Sequence, residues 1–250
     1  MSATYQFERQ RLGALDCGIV RPSDTVTPIR SLAVLCHGFG AGGDDLVGLA
    51  SEILQISPND GAAMMVFPTA PLSLDDEGMP GGRAWWMLSI QRLMSAIEDG
   101  RYEQIREEVP DGIDDAREKL TETIEAAMEI AKVDYGQLLL GGFSQGAMLS
   151  VDTATRGLAK PPAAMCLFSG CLICEKKWKA GAARLDSTKI FQSHGRIDPV
   201  LPLQTGIWLR DMLQESDCTV DFHEFNGVHT IPMHAIEKAA ELFAGVHDSK

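Results

Sequence analysis

Long apolar runs are missing from this chain: no stretch approaches the roughly 18 consecutive apolar residues that a bilayer span requires. The first ten residues, MSATYQFERQ, carry no basic region followed by an apolar one. A secretory leader is therefore not expected, and the sequence reads as cytoplasmic. Basic residues are scarce beside acidic ones, 22 Lys and Arg against 35 Asp and Glu, for a formal net charge of -13. That balance excludes nonspecific nucleic-acid binding and adhesion to an anionic membrane, which both need a positive surface. Cysteine, at 6 in 250 residues, is too sparse for a disulfide scaffold. Internal repeats, low-complexity segments and linkers are lacking too. What remains is 45% apolar and 23% charged, an ordinary globular composition, and its length suits one domain over residues 1–250.

Cys36, Cys166 and Cys218 sit in apolar runs and read as small core residues. Cys171 and Cys174 form a lone C-x-x-C. A structural zinc site needs a second pair, so two free thiols are the expected state and no metal or other cofactor is implied.

Short, continuously apolar runs recur along the chain, at 32–36, 62–67, 137–140, 164–168 and 189–192. Such runs mark strands buried on both faces. Residues 3–10 and 13–20 alternate loosely, and 219–225 alternates clearly, as edge strands do. Helical patterns lie between them. Asp44 or Asp45 is a candidate cap for a helix through Leu46, Leu49, Ile53 and Leu54. Ile113, Ala116, Leu120, Ile124, Ala127 and Ala131 recur at three- and four-residue spacing, opposite a solvated acidic face. Further helices are expected at 145–157, 204–216 and 232–245. Strands alternating with helices predict an α/β fold, a mostly parallel sheet covered on both faces. The stretch from about Ala70 to Pro110 breaks this rhythm and reads as a cap or lid.

Gly142-Phe143-Ser144-Gln145-Gly146 is a G-x-S-x-G pentapeptide between an apolar strand and a helix-compatible stretch. A sharp strand-to-helix turn exposes the serine hydroxyl, and the helix N-terminus favours developing negative charge. Ser144 is therefore the candidate nucleophile. A serine needs a base, and histidine suits the task near neutral pH. Of the 6 histidines, His229 is the best candidate because it lies in a loop between the last strand and the last helix. His37 and His194 follow buried strands, His223 lies within the edge strand, His234 falls in the last helix and His247 in the tail. Asp198, in the loop after the fifth apolar run, is the candidate orienting carboxylate. The order Ser144, Asp198, His229 is the one expected of such a triad on an α/β sheet. An oxyanion hole needs two donors. The N–H of Gln145, beside the nucleophile, supplies one. The N–H of Phe39, in the glycine-rich loop 37–43, is the choice for the other. That loop lacks the spacing and the lysine of a nucleotide-binding loop.

LCHGFG at 35–40, GGFSQGA at 141–147, SHGRIDPVLP at 193–202 and GVHTIP at 227–232 together resemble the phospholipase/carboxylesterase family of α/β-hydrolases, which includes acyl-protein thioesterases and small bacterial carboxylesterases. The likeness runs from about residue 30 to 245. It implies an eight-stranded sheet, metal-independent hydrolysis, a triad at Ser144, Asp198 and His229, and oxyanion donors at Phe39 and Gln145. Val228 stands where many relatives have glycine.

The expected activity is that of a serine carboxylesterase acting on small to medium-chain neutral carboxylic esters through an acyl-enzyme. An acyl-protein thioesterase or a lysophospholipase is the alternative, and a non-catalytic ligand-binding homologue is a more distant one. Trp85, Trp86, Met87, Leu88, Leu93 and Met94 are candidates to line an acyl pocket or lid, with Leu72, Leu172 and Ile173 as further candidates. The expected partner is a small-molecule ester, with no nucleic acid and no stable membrane insertion; a homodimer is left open.

Overall fold

The computed structural model describes residues 4–24, 26–56, 61–88, 95–97 and 99–247. An eight-stranded sheet dominates it, in the order β1-β2-β4-β3-β7-β8-β9-β10. The strands are β1 (Tyr5–Leu12), β2 (Leu15–Pro22), β3 (Ser31–Cys36), β4 (Ala63–Pro68), β7 (Leu138–Phe143), β8 (Ala164–Phe168), β9 (Lys189–Gly195) and β10 (Val220–Phe225). β5 (Leu72–Ser73) and β6 (Arg83–Ala84) form a separate two-residue antiparallel pair. β2 runs antiparallel to both β1 and β4, and the remaining pairings are parallel.

The apolar runs become the centre of the sheet because their two-residue period feeds two cores at once. Leu32, Val34 and Cys36 of β3 face one core; Ala33 and Leu35 face the other. The first core is closed by α3 (Ile113–Ala131), α4 (Gln145–Arg156), α5 (Glu175–Ala182) and α6 (Leu203–Gln214), the second by α1 (Gly48–Ile56) and α7 (Met233–His247). α3 buries the apolar positions expected of it, with Thr123 among them. A short helix, α2 (Tyr102–Glu107), adds Ile105 to the first core.

Three expectations are corrected. The first two strands lie two residues later than read, at 5–12 and 15–22. The first helix begins at Gly48, after a run of turns, and neither Asp44 nor Asp45 caps it. Asp44 lies within those turns and forms an exposed ion pair with Arg9 on β1. α2 and α5 went unread. α2 buries Ile105 alone among its described side chains and α5 buries Trp178 and Ala182, too few apolar positions to show a helical period.

Candidate active site

Ser144 stands between β7 and α4 with φ 54° and ψ −117°, a conformation that costs a non-glycine residue on the order of 1–3 kcal/mol. The turn is held there by close backbone packing. A Cβ on Gly142 would come within 2.4 Å of the Cys36 carbonyl oxygen, and one on Gly146 within 2.1 Å of the same atom. Glycine is therefore required on both sides of the serine. The Ser144 N–H donates to the Phe168 carbonyl at 2.8 Å, fixing the turn to β8.

Asp198 lies in the loop after β9 and has a fully buried side chain. Its Oδ1 accepts the N–H groups of Val200 and Leu201 at 2.8 and 2.9 Å, and its Oδ2 meets His229 Nδ1 at 2.6 Å. Burial would raise this carboxyl, but the His229 and backbone hydrogen bonds outweigh it and hold the group below the usual carboxylate value. A carboxylate only accepts, so Nδ1 of His229 carries the proton and Nε2 keeps a lone pair. The loop bearing His229 is tied to the loop bearing Asp198. Arg196 N–H donates to the Phe225 carbonyl at 2.9 Å and Ile197 N–H to the Gly227 carbonyl at 3.2 Å. Val228 is half exposed.

Ser144 and His229 line the same cavity, of about 720 Å³. No hydrogen bond joins their side chains among the described residues. Phe143 packs against the His229 ring with centroids 4.7 Å apart.

His37 and His194 are fully buried. Burial lowers the pKa of both, keeping them neutral at pH 7. His37 donates from Nδ1 to the Gly38 carbonyl at 2.8 Å and accepts the Ala70 N–H at Nε2, 3.1 Å away. His194 Nε2 donates to the Leu201 carbonyl at 2.7 Å, bracing the Asp198 loop. These two histidines organise loops and do not face the cavity.

The predicted substrate-contacting residues divide. Trp86, Met87, Leu88 and Ile173 line the cavity. Trp85 and Leu172 are buried in the core and Leu72 is half buried in β5; none of these three is on the cavity wall. Trp85 turns away because its indole N–H donates to the His37 carbonyl at 2.9 Å. Leu93 and Met94 lie outside the described residues. Sequence reasoning missed Met148 and Cys171 on the wall, whose sulfurs stand 3.8 Å apart, and the stretches around Ile105 and Leu201. Their only sequence signal was apolar character, which core residues share. Cys171 and Cys174 are buried free thiols, and burial raises both, Cys174 to about 12.

Residues 18–246 match the family model for phospholipase/carboxylesterase. The chain belongs to the phospholipase/carboxylesterase family. Acyl-protein thioesterase 1 of Saccharomyces cerevisiae is 29% identical over 215 residues, covering 82% of this chain and 86% of that protein. The fold resembles esterase PE8 (TM-score 0.71, 22% identity, 97% of this chain and 99% of that one). It also resembles a carboxylesterase from Mesorhizobium loti (TM-score 0.73, 15% identity, 96% and 99%). The sheet and its covering helices are thus an α/β-hydrolase fold, and family membership supports hydrolysis of carboxylic esters or thioesters.

Proposed function

We propose that this family member is a serine carboxylesterase that hydrolyses small to medium-chain neutral carboxylic esters through an acyl-enzyme. The observation that carries the reading is the 2.6 Å Asp198–His229 hydrogen bond beside a cavity that Ser144 shares. It leaves Nε2 of His229 as a base for the serine hydroxyl. His229 takes the proton as Ser144 Oγ attacks the carbonyl carbon. Asp198 holds the tautomer and stabilises the imidazolium. The N–H groups of Phe39 and Gln145, which no acceptor occupies among the described residues, receive the oxyanion. The imidazolium protonates the leaving alcohol, and water repeats the attack on the acyl-enzyme.

The cavity wall supports the substrate class. Trp86, Leu88, Ile105, Met148 and Leu201 offer an apolar surface suited to an acyl chain. Asp45, Glu108 and Asp111 also line the cavity, and no lysine or arginine does among the described residues. Anionic groups such as phosphates are disfavoured there, which argues for neutral esters over lysophospholipids. The thioesterase reading keeps the same chemistry and rests on the relatives' names. Turnover of an oxygen ester and a thioester of one acyl chain separates the two. All six cysteines are free thiols, which fits a reducing compartment such as the cytoplasm.

Ser144→Ala tests the reading. Hydrolysis of a nitrophenyl ester is expected to fall to background with the circular dichroism spectrum unchanged. Retention of more than about a tenth of the wild-type rate overturns it, since removing a triad nucleophile costs orders of magnitude.

A further inference from the structure

The segment from Ala70 to Trp86 was expected to belong to a lid, yet it is laced to the nucleophile turn and to the loop after β3. Gly40 N–H donates to the Arg83 carbonyl at 2.9 Å, Arg83 N–H to the Ala41 carbonyl at 3.1 Å, and Ala70 N–H to His37. The Trp85 indole N–H adds a bond to the His37 carbonyl at 2.9 Å, and the tie to the nucleophile turn is a side chain. Gln145, fully buried, accepts the Trp85 N–H at Oε1 (3.0 Å) and donates from Nε2 to the Trp86 carbonyl (2.8 Å). Its carboxamide pairs with the Trp85–Trp86 backbone much as a neighbouring strand would. These two partners also fix which end of the amide is oxygen, because an N–H needs an acceptor and a carbonyl needs a donor.

We propose that the Gln145 side chain is a positioning residue for acyl-chain selection: it holds the wall formed by Trp86, Met87 and Leu88 at a fixed place relative to Ser144. The inference rests on the serine-esterase reading and deepens it. One residue then serves two ends of the reaction. Its backbone N–H faces the oxyanion, and its side chain sets where the acyl chain lies. Sliding that wall away from the nucleophile breaks two buried hydrogen bonds and leaves an N–H and a carbonyl unpaired, a cost that keeps the wall in register. Glutamine is suited to this because its terminal group both gives and takes a hydrogen bond. Methionine does neither, and an ionised glutamate only accepts.

The test compares nitrophenyl acetate with nitrophenyl octanoate, with rates normalised to sites labelled by a fluorophosphonate. Gln145→Met is expected to lose kcat/KM on octanoate by about tenfold more than on acetate, mostly through KM, as two buried hydrogen bonds are lost. Equal losses on both esters per labelled site overturn the proposal. Gln145→Glu adds a second readout. A protonated glutamic acid restores the donor and acceptor, and its ionised form does not. The variant's octanoate-to-acetate rate ratio, divided by the wild-type ratio at each pH, is expected to fall about tenfold or more between about pH 5 and pH 10, since burial raises a glutamic acid to as high as about 8–9. A flat ratio overturns the proposal, and this ratio decides the matter if Gln145→Met does not fold. Wild-type protein that neither labels nor turns over either ester overturns the esterase reading instead.

Discussion

Asp152 and Asp198 both have fully buried side chains, and they have opposite kinds of partner. Asp152, on α4, accepts from Arg117 (3.1 Å), Arg156 (2.7 Å) and the Trp178 indole (2.7 Å). Asp114 bonds to both arginines as well. The four charges close a ring joining α3 to α4, with α5 attached through Trp178. Guanidinium groups do not give up their protons in proteins, so this ring can only hold helices together. Asp198 faces an imidazole, whose proton can come and go. Burial of a carboxylate therefore does not by itself mark a reactive site. The nature of the partner decides whether the buried charge braces the fold or supports chemistry.

The sharpest way to break this contrast is Asp198→Asn. An amide in place of the carboxylate lets His229 adopt the wrong tautomer, so turnover of a nitrophenyl ester should fall by about 10⁴-fold, with the thermal midpoint little changed. A loss of less than about tenfold would remove Asp198 from its role. Asp152→Ala should do the reverse. It removes the buried acceptor shared by Arg117, Arg156 and the Trp178 indole while leaving Asp114 as a partner of both arginines, and should destabilise the fold by about 1–3 kcal/mol, read as a lower urea midpoint. Rates per labelled site should stay at the wild-type value. A specific loss of activity in that folded variant would show that the helix ring also shapes the site.

Acid should expose the buried histidines next. The folded-state pKa values of His37 and His194 lie below the ordinary value of 6.5. The unfolded chain then binds more protons than the folded one between those values. Their contribution is fully present above about pH 6.5 and is lost as pH falls through the lowered folded values. The urea midpoint should therefore drop between pH 7 and pH 5, and His194→Gln should make that drop smaller. An unchanged slope would mean that His194 is not protonated on unfolding. The smallest effect is expected at Asp114, whose hydrogen bonds to Arg117 and Arg156 lower its carboxyl to about 2. Its stabilisation is present above the ordinary aspartate value of 3.8 and is lost as pH falls through about 2. Asp114→Asn should flatten that last acid limb, and added salt should shrink the difference because this aspartate is half exposed.

The central strands were legible because β3, β4, β7 and β8 are buried on both faces. A continuous apolar run bounded by glycine or proline has few other readings. The strained turn at Ser144 was legible because it demands flanking glycines, and the pairing of Asp198 with His229 because both follow the ends of consecutive strands. Trp85 misled, since its place beside Trp86 suggested a shared wall. The indole bond to the His37 carbonyl turns it inward. The capping reading of Asp44 failed because turns occupy residues 43–47 and the helix begins only at Gly48.

By itself the sequence determined which stretches must be buried, where the strained turn falls and which side chains are candidates for nucleophilic, basic and acidic chemistry. These follow from local patterning and from residue chemistry. Tertiary structure alone decided that Gln145 grips the Trp85–Trp86 backbone, that Met148 and Cys171 share a cavity wall, and that Asp152 is locked to arginine while Asp198 meets an imidazole. Those outcomes depend on which distant groups fold into hydrogen-bonding reach, and a pairing across the sheet leaves no periodic trace along the chain.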